Sequence, residues 1–355
     1  IYANTNFGVA NDFKRPSSST DLNWSAINSN FILKNGVTYM NNASLGMPPM
    51  IIVDAVKAGY EGISKEPLHG KRKLQDKISK NVIPLLANTF NVKTDEVTLT
   101  RNASEALFLQ TLGLVLEKGD EVVLSTQEHP AALKPWIHRG AKDGVILKYV
   151  FIPSPLVSKQ DTINRLMSAV SSKTKAISFC HVTRGGNKYP VKEIANLARR
   201  KGIATLVDGA QAVGQFPIDI KNLGCDAYSA SLHKWILAPS GSGFLFVRDN
   251  AKRFFESPFD LKAPTINSFF DPPGTKDYPV RAAVGTALNF INKIGLDNVE
   301  SLVGGETAGI PFASFLASQL ELPMHYVRKN PKGFGVNNYI ELTKNILFIS
   351  EGKII

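Results

Sequence analysis

The sequence predicts an α/β fold in which helices cover both faces of a mostly parallel central sheet. Short runs typical of strands occur at 97–101, 121–125, 145–151, 176–180, 203–207 and 244–247, and the run 203–207 is bounded by Gly202 and by Asp208-Gly209. Longer segments with helical spacing of apolar residues occur at 50–62, 71–90, 160–171, 191–202 and 281–294. Strands that alternate with helices in this way form parallel sheets.

Length and charge narrow the class of protein. The 355 residues are enough for one large α/β domain and a smaller one. The net charge of +11 is scattered along the chain, which argues against nucleic-acid binding and favours anionic substrates. No apolar run is long enough to span a membrane, so no membrane association is expected. We expect a cytoplasmic protein, or an exported one if a signal peptide precedes Ile1.

Asp208 and Lys234 carry the strongest indication of chemistry. Asp208 follows the apolar run 203–207, so its carboxylate is expected to face the crevice at the carboxyl end of the sheet. The 26 positions from Asp208 to Lys234 allow one crossover and a return along the neighbouring strand, 227–231. A lysine amine can form a Schiff base with a carbonyl cofactor. Pyridoxal 5′-phosphate needs such a lysine and an acid that keeps its ring nitrogen protonated.

The residues around this pair resemble a known family. Asp208-Gly-Ala-Gln211 and Ser231-Leu-His-Lys234 resemble motifs of the class V aminotransferase group of fold-type I pyridoxal-phosphate enzymes. Asn41-Asn42 and the segment 269–278 resemble the isopenicillin-N-epimerase-like branch of that group. The resemblance implies three parts: an N-terminal arm and small-domain segment at 1–49, a large cofactor-binding domain at 50–285, and a small C-terminal α+β domain at 286–355. No clear series of strands and helices can be drawn after residue 304.

The resemblance also implies roles for single residues. Lys234 would carry the cofactor, Asp208 would pair with its ring nitrogen, and His129 would stack on its ring. Contacts to the phenolic oxygen would come from Gln211 and from Thr183, which stands where the family often has Asn. The phosphate would be held by Ala103 and Ser104 at a helix N-terminus, by Ser231 and His233, and across a homodimer interface by Gly274 and Thr275. The candidates for substrate contacts are Asn41, Asn42 and Arg328.

The predicted substrate is an amino acid or a compound derived from one. Epimerisation and transamination are the favoured reactions. A C–S lyase or cysteine desulfurase-like enzyme is one alternative, and a non-catalytic cofactor-binding regulatory module is another. Cys180 and Cys225 lie in core-like stretches, which argues against a persulfide-forming desulfurase because that chemistry needs an accessible thiol of lowered pKa. No second histidine lies at metal-ligand spacing from His129, so no metal site is predicted.

Overall fold

A seven-stranded sheet forms the centre of the protein. The computed structural model describes residues 29–34, 37, 39, 41–259 and 265–294, and three short strands beyond residue 300. The strands of the central sheet are β1 (Val97–Thr100), β2 (Glu121–Ser125), β3 (Ile146–Val150), β4 (Thr174–Cys180), β5 (Ala204–Asp208), β6 (Ala227–Ser231) and β7 (Gly243–Val247). Their order across the sheet is β1-β7-β6-β5-β4-β2-β3. Only β7 runs antiparallel to its neighbours, so the predicted mostly parallel sheet is confirmed.

Helices lie before, between and after these strands. They are α1 (Met50–Lys65), α2 (Pro67–Lys77), α3 (Ile83–Thr89), α4 (Ala103–Gly113), α5 (Pro130–Asp143), α6 (Lys159–Ser168), α7 (Val191–Arg200), α8 (Ile220–Leu223), α9 (Ile266–Phe270) and α10 (Tyr278–Ile294). Single 3-10 turns occur at Thr94–Glu96 and Asp249–Phe254. None of the helices in the described ranges combines the length and apolarity that a bilayer crossing requires.

Two apolar cores pack on opposite faces of the sheet. Val123 and Val207 belong to the larger core, whereas Val122 and Leu206, their neighbours along the same strands, belong to the other. Side chains alternate between the faces of a strand, so a strand between two helical layers is covered at every position. All five residues of β5 are buried for this reason. The uninterrupted apolar run 203–207 therefore marks a strand covered on both sides.

The segment 71–90, predicted as one helix, is divided by a π turn. Helix α2 ends at Lys77, the π turn occupies Ile78–Val82, and α3 begins at Ile83. The N–H of Ile83 donates to the carbonyl of Ile78, five residues earlier. Pro84 explains the break, because its nitrogen has no hydrogen and is tolerated only in the first turn of a helix. The apolar spacing predicts a helical segment, and the structure has helical turns throughout it, with the π turn placed just before Pro84.

The C-terminal part contains a second sheet, whose strands could not be placed from the sequence. It contains β8 (Leu302–Gly305), β9 (Met324–Val327) and β10 (Ile340–Leu342), in the order β10-β9-β8. Strand β9 pairs in parallel with β8 and antiparallel with β10. Each strand has only three or four residues, which is too short for a periodic pattern to stand out in the sequence.

Candidate active site

Five chain segments meet at one edge of the central sheet. Parallel strands bring their carboxyl ends to the same edge, and here β2, β4, β5 and β6 end there. Cys180 at the end of β4 lies opposite Asp208 at the end of β5. Strand β1 ends at the same edge, because Thr100 pairs with Gly243 and Ser231 also pairs with Gly243. The segments that follow these strands carry most of the predicted site residues, so the topology brings them together.

Asp208 is a buried carboxylate at this edge. It is only 6% exposed, and the N–H of Ala210 donates to Oδ1 at 2.9 Å. Burial raises the pKa of Asp208, whereas the Ala210 bond and the positive charges of Lys234 and His129 lower it. Within the described ranges Oδ2 accepts no hydrogen bond. One carboxylate oxygen is therefore available to a cationic group in the crevice.

The backbone around Asp208 leaves no room for a side chain at the next position. The N–H of His181 donates to the carbonyl of Asp208 at 2.8 Å, and the N–H of Gly209 donates to Ser229 at 2.7 Å. A Cβ on Gly209 would lie 2.0 Å from the ring of Tyr228. The hydroxyl of Tyr228 is 2.9 Å from His181 Nδ1, so this ring is also held in place. The Asp-Gly pair is thus required by packing behind the carboxylate.

Lys234 lies on the loop between β6 and β7 and is half-buried. Burial lowers the pKa of its amine, and the charge of Asp208 opposes that shift. The amine makes no ion pair within 4.0 Å with any acid in the described part of the chain. Residues 41–46 pack against the lysine backbone, since the N–H of Gly46 donates to the carbonyl of His233 at 2.6 Å. A Cβ on Gly46 would lie 2.0 Å from the carbonyl oxygen of Lys234.

His129 closes the crevice from the β2 side. It is the N-cap of α5, and its Nδ1 accepts the N–H of Ala131 at 3.1 Å. The hydrogen of the neutral ring is therefore on Nε2. Partial burial lowers the pKa of His129, the charge of Asp208 raises it, and the charges of Lys234 and Arg184 lower it. These mutual effects identify His129, Asp208 and Lys234 as neighbours across one crevice.

The start of α4 provides a site for an anion. The N–H of Ala103 donates to Ser231 Oγ at 2.9 Å, and the N–H of Glu105 donates to the Asn102 side chain at 2.8 Å. The N–H of Ser104 has no acceptor in the described residues, and Ser104 is exposed. A free N–H at the positive end of a helix of 11 residues favours a phosphate. Ala103, Ser104 and Ser231 thus lie together, as predicted from the sequence.

His233 is held beside this helix start. Its Nδ1 lies 3.1 Å from the carbonyl of Ser242, so Nδ1 carries the hydrogen and Nε2 is the other polar atom of the ring. Burial is the main effect on its pKa, which is lowered. Gly243 lets the start of β7 approach α4, because a Cβ there would lie 2.8 Å from Asn102 Cα.

Thr183 and Gln211 lie at the same edge with partners inside the protein. Thr183 is buried, and its Oγ1 accepts the N–H of Asn187 at 3.0 Å, which leaves the hydroxyl hydrogen to donate. Gln211 Nε2 donates to the carbonyl of Ala43 at 2.9 Å, while Gln211 Oε1 accepts from Trp235 Nε1 at 3.0 Å. Gln211 thereby links the 41–46 segment to the Lys234 loop. Only its second amide hydrogen remains for the predicted contact with a phenolic oxygen.

The remaining predicted residues differ in position. Asn41 and Asn42 lie in the segment that packs on Lys234, and the carbonyl of Asn41 accepts the N–H of Ser44 at 3.0 Å.

Gly274 and Thr275 are exposed, and Gly274 has φ +101°. Gly274 lines a separate cavity of about 600 Å³, whose walls include Asp271, Lys276 and Arg281. That cavity contains neither Lys234 nor Asp208, so a contact across a dimer interface stays a prediction. Arg328 lies outside the described residues.

Two charged residues at this edge were not singled out from the sequence. Glu128 is buried behind His129, accepts a hydrogen bond from Ser125 Oγ at 2.5 Å, and has its pKa raised by burial to about 8. Arg184 is exposed in the turn after β4. Both lie shortly after a buried strand: Glu128 is three positions beyond Ser125, the end of β2, and Arg184 is four positions beyond Cys180, the end of β4. No three His, Cys, Asp or Glu side chains in the described ranges are arranged to bind a metal ion.

The crevice has the parts that pyridoxal phosphate requires. Lys234 supplies an amine without an ion-pair partner among the described residues, Asp208 a buried carboxylate with one oxygen available, and Ser104 a free N–H at a helix start. The chemistry of this donor set fits an aldehyde with a basic ring nitrogen and a phosphate. These residues therefore agree with the cofactor that the sequence predicted.

Comparison with known proteins identifies the family. Residues 38–304 match the family model described as aminotransferase class V. The chain is 27% identical over 284 residues to a probable cysteine desulfurase of Synechocystis, covering 75% of this chain and 67% of the relative. It is 29% identical over 274 residues to an isopenicillin N epimerase of Amycolatopsis lactamdurans, covering 74% of this chain and 65% of the relative.

A solved structure agrees with this assignment. The structure of a cystine C–S lyase with its product cysteine persulfide superimposes with a TM-score of 0.68 at 25% identity, over 74% of each chain. The chain belongs to the aminotransferase class V family, and its cofactor is pyridoxal 5′-phosphate, as predicted.

Proposed function

We propose that this chain is a pyridoxal-phosphate enzyme that cleaves the C–S bond of a sulfur-containing amino acid by elimination. The observation that carries the proposal is that the carboxyl ends of parallel strands bring the half-buried Lys234 amine, the buried Asp208 carboxylate with one oxygen available, and the His129 ring to one edge of the sheet. The similarity to a probable cysteine desulfurase and to a cystine C–S lyase supports C–S cleavage. This reverses the order of the sequence-based prediction, which favoured epimerisation or transamination.

Each residue at the edge has a proposed role in holding the cofactor. Lys234 is the attachment point, Asp208 keeps the ring nitrogen protonated, and His129 covers one face of the ring. The phosphate is held by Ser104, Ser231 and His233, with the Ala103 N–H keeping the Ser231 hydroxyl in place, and the phenolic oxygen is held by Thr183 and Gln211. Bound pyridoxal phosphate supplies an electron sink for the charge left at Cα when a proton departs.

Lys234 and His129 are the groups that would move protons. The lowered pKa of the Lys234 amine favours its neutral form, which can take a proton from the Cα of the substrate. His129 holds a hydrogen on Nε2, because its Nδ1 accepts from Ala131. That Nε2–H is available to a departing sulfur. Asp208 stays anionic beside a cation, and this attraction matters most when negative charge develops at Cα.

The two cysteines favour elimination over transfer of sulfur to a protein thiol. Both are buried, and burial raises the pKa of Cys180 well above its usual range and that of Cys225 to about 12. A thiol must be accessible and ionised to attack a substrate sulfur. Elimination from L-cysteine needs no protein thiol: the substrate loses sulfide, and water hydrolyses the remaining enamine to pyruvate and ammonia.

Epimerisation is the second candidate. It is supported by the 29% identity to the isopenicillin N epimerase and by the Asn41-Asn42 segment, which packs against the Lys234 loop. Both reactions begin with removal of the Cα proton. They differ in the next step, which is either return of the proton to the opposite face of Cα or departure of a group from Cβ.

We also propose a homodimer and retain the three-part division at residues 49 and 285. Gly274 and Thr275 are exposed on a segment that lines the separate cavity, which suits a contact with the phosphate of a second copy. Sedimentation of the cofactor-loaded protein at micromolar concentration tests this proposal. A stable, active monomer would contradict it.

Two measurements test the proposed function. Borohydride reduction of the cofactor-loaded protein followed by peptide mapping should place the pyridoxyl mass on Lys234, and Lys234→Ala should lose it. Lys221→Ala, which removes an exposed lysine, should keep it. The second measurement follows pyruvate, ammonia and sulfide from L-cysteine and L-cystine. Production of the opposite enantiomer without pyruvate would favour epimerisation, and a label on another lysine would refute the site.

A further inference from the structure

The turn that carries His129 is bonded to its neighbours on two sides. It runs from Ser125, the end of β2, to His129, the N-cap of α5. On the β3 side, Gln127 Nε2 donates to the carbonyl of Ile152 at 2.8 Å, and the N–H of Ile152 donates to Thr126 Oγ1 at 3.1 Å. This side of the turn is therefore fixed to the chain that leaves β3.

A buried network of Glu128, Ser125 and Tyr189 fixes the other side. Glu128 Oε1 accepts the hydroxyl of Ser125 at 2.5 Å. Ser125 Oγ in turn accepts the hydroxyl of Tyr189 at 3.2 Å and the N–H of Gln127 at 3.1 Å. A serine hydroxyl donates one bond and accepts two, so the capacity of Ser125 is filled. The ring of Tyr189 is buried and stacks on Phe179 of β4, which holds the far end of the network.

Tyr189 closes the turn that follows β4. Its N–H donates to the carbonyl of His181 at 2.9 Å, and Thr183 lies between these two residues in the chain. Strands β2 and β4 are neighbours in the sheet, so the turns that follow them lie side by side. The buried network therefore joins the turn of His129 to the turn of Thr183.

The carboxyl group of Glu128 is suited to a neutral form. Its Oε2 is buried and has no hydrogen-bond partner among the described residues, which is costly for an ionised carboxylate. The titratable groups near it are Cys180 of β4, Asp208 of β5 and Tyr189. Burial and the charge of Asp208 raise the pKa of Glu128 to about 8. A neutral acid can anchor the turn without adding a second negative charge beside Asp208.

We propose that Glu128 and Tyr189 are positioning residues that hold the His129 ring at the crevice. The inference rests on the proposed function, in which His129 covers one face of the cofactor ring. Glu128 precedes His129 directly, and the Nδ1 of that ring accepts the N–H of Ala131, so the ring moves with the turn. A displacement of about 1 Å at a site can cost about a hundredfold in rate.

Visible circular dichroism of the cofactor-loaded protein tests the inference without measuring turnover. The cofactor is achiral, so its dichroic band depends on the groups packed against it. Glu128→Ala should shift that band toward the band of His129→Ala. Glu128→Gln keeps a neutral side chain with an acceptor oxygen and should recover most of the wild-type band. Tyr189→Phe keeps the buried ring and should shift the band in the same direction as Glu128→Ala, which provides a test if Glu128→Ala does not fold.

Turnover provides a second readout. In Glu128→Ala, kcat for C–S cleavage should fall about ten- to hundredfold, while KM changes less than about threefold. The same substitution made in His129→Ala should change kcat by less than about twofold, because a positioning residue acts only through the residue that it positions.

The matched control is Thr162→Val, which removes a buried hydroxyl of α6 that donates to the carbonyl of Ser158 at 3.1 Å. It should leave the dichroic band and kcat as in wild type. Two results would overturn the positioning role: a wild-type band in both Glu128→Ala and Tyr189→Phe, or an equal loss of kcat from Glu128→Ala with and without His129. If wild type binds the cofactor but cleaves no C–S bond, the proposed function fails, and the dichroic band still decides the role of the network.

Discussion

Replacement of Asp208 by asparagine should slow turnover far more than it weakens cofactor binding. The substitution keeps the shape of the side chain, and its carbonyl oxygen can still accept the Ala210 N–H that now lies 2.9 Å from Oδ1. The substitution removes one negative charge in a position only 6% exposed, and in the proposed function this charge pairs with the protonated ring nitrogen of the cofactor. Two unit charges about 4 Å apart in surroundings of effective dielectric constant about 20 attract by about 4 kcal/mol.

A loss of that size corresponds to about a thousandfold in rate. Asparagine keeps a dipole toward the ring nitrogen, so the expected decrease in kcat is about a hundred- to thousandfold. The assay is sulfide or pyruvate release per bound cofactor, with bound cofactor measured by absorbance. A rate within about threefold of wild type, at equal cofactor content, would refute the role of Asp208.

A second buried carboxylate on the same sheet provides the control. Asp226 precedes β6 at the opposite edge, is 7% exposed, and accepts hydrogen bonds from Thr205 N at 2.8 Å and Thr205 Oγ1 at 3.0 Å. Asp226→Asn should lower the free energy of unfolding by about 1–3 kcal/mol. Turnover per bound cofactor in Asp226→Asn should equal that of wild type. The comparison of the two variants shows whether the slower turnover of Asp208→Asn comes from the loss of a charge at the site or from the loss of any buried charge.

Three further predictions concern packing, pH and the thiols. Gly46→Ala should lower the free energy of unfolding, measured in urea, by about 1–3 kcal/mol, because its Cβ would lie 2.0 Å from the Lys234 carbonyl oxygen. The control is Gly62→Ala, which should not lower the free energy of unfolding because nothing lies within 4 Å of its Cβ. Burial raises the pKa of Glu128 to about 8 from 4.5, so the folded state binds more protons than the unfolded state between those values. The free energy of unfolding should therefore fall as pH rises from about 5 to 8, by at most about 1.4 kcal/mol per pH unit, and Glu128→Gln should flatten that slope; an unchanged slope would contradict it. The double variant Cys180→Ala/Cys225→Ala should retain sulfide release per bound cofactor, and loss of that activity in a folded double variant would show that a thiol takes part.

The main features of the crevice could be predicted because they depend on strand periodicity and topology. The run 203–207 predicts a strand covered on both faces, and the strand observed is Ala204–Asp208, with Asp208 at its end as expected. Parallel neighbours then bring Lys234 to the same edge. These inferences need only local patterns and the rule that parallel strands end together.

The features that could not be predicted depend on contacts between distant residues. The amide of Gln211 bonds to Ala43, which is 168 positions away in sequence, and no local pattern indicates that link. Arg184 stands out only because it has no acid partner in the described ranges, and Glu128 only because it is buried. Both properties require the three-dimensional structure. The proposed contact of Gly274 and Thr275 with a second copy depends on residues of another chain, so no pattern within one sequence can indicate it.

The antiparallel direction of β7 has a consequence for the motion of the lysine. Because β7 starts where β6 ends, the loop that carries Lys234 is a closed hairpin rather than a crossover. Leu232 N donates to Ser242 O at 3.0 Å and Ala238 N to Leu232 O at 3.1 Å, so both stems of the loop are fastened. The backbone at Lys234 is thus a fixed pivot, and the amine can travel only as far as rotation about the bonds of its own side chain allows. An insertion between the stems would move that pivot, whereas an equal insertion in a crossover elsewhere in the sheet would not.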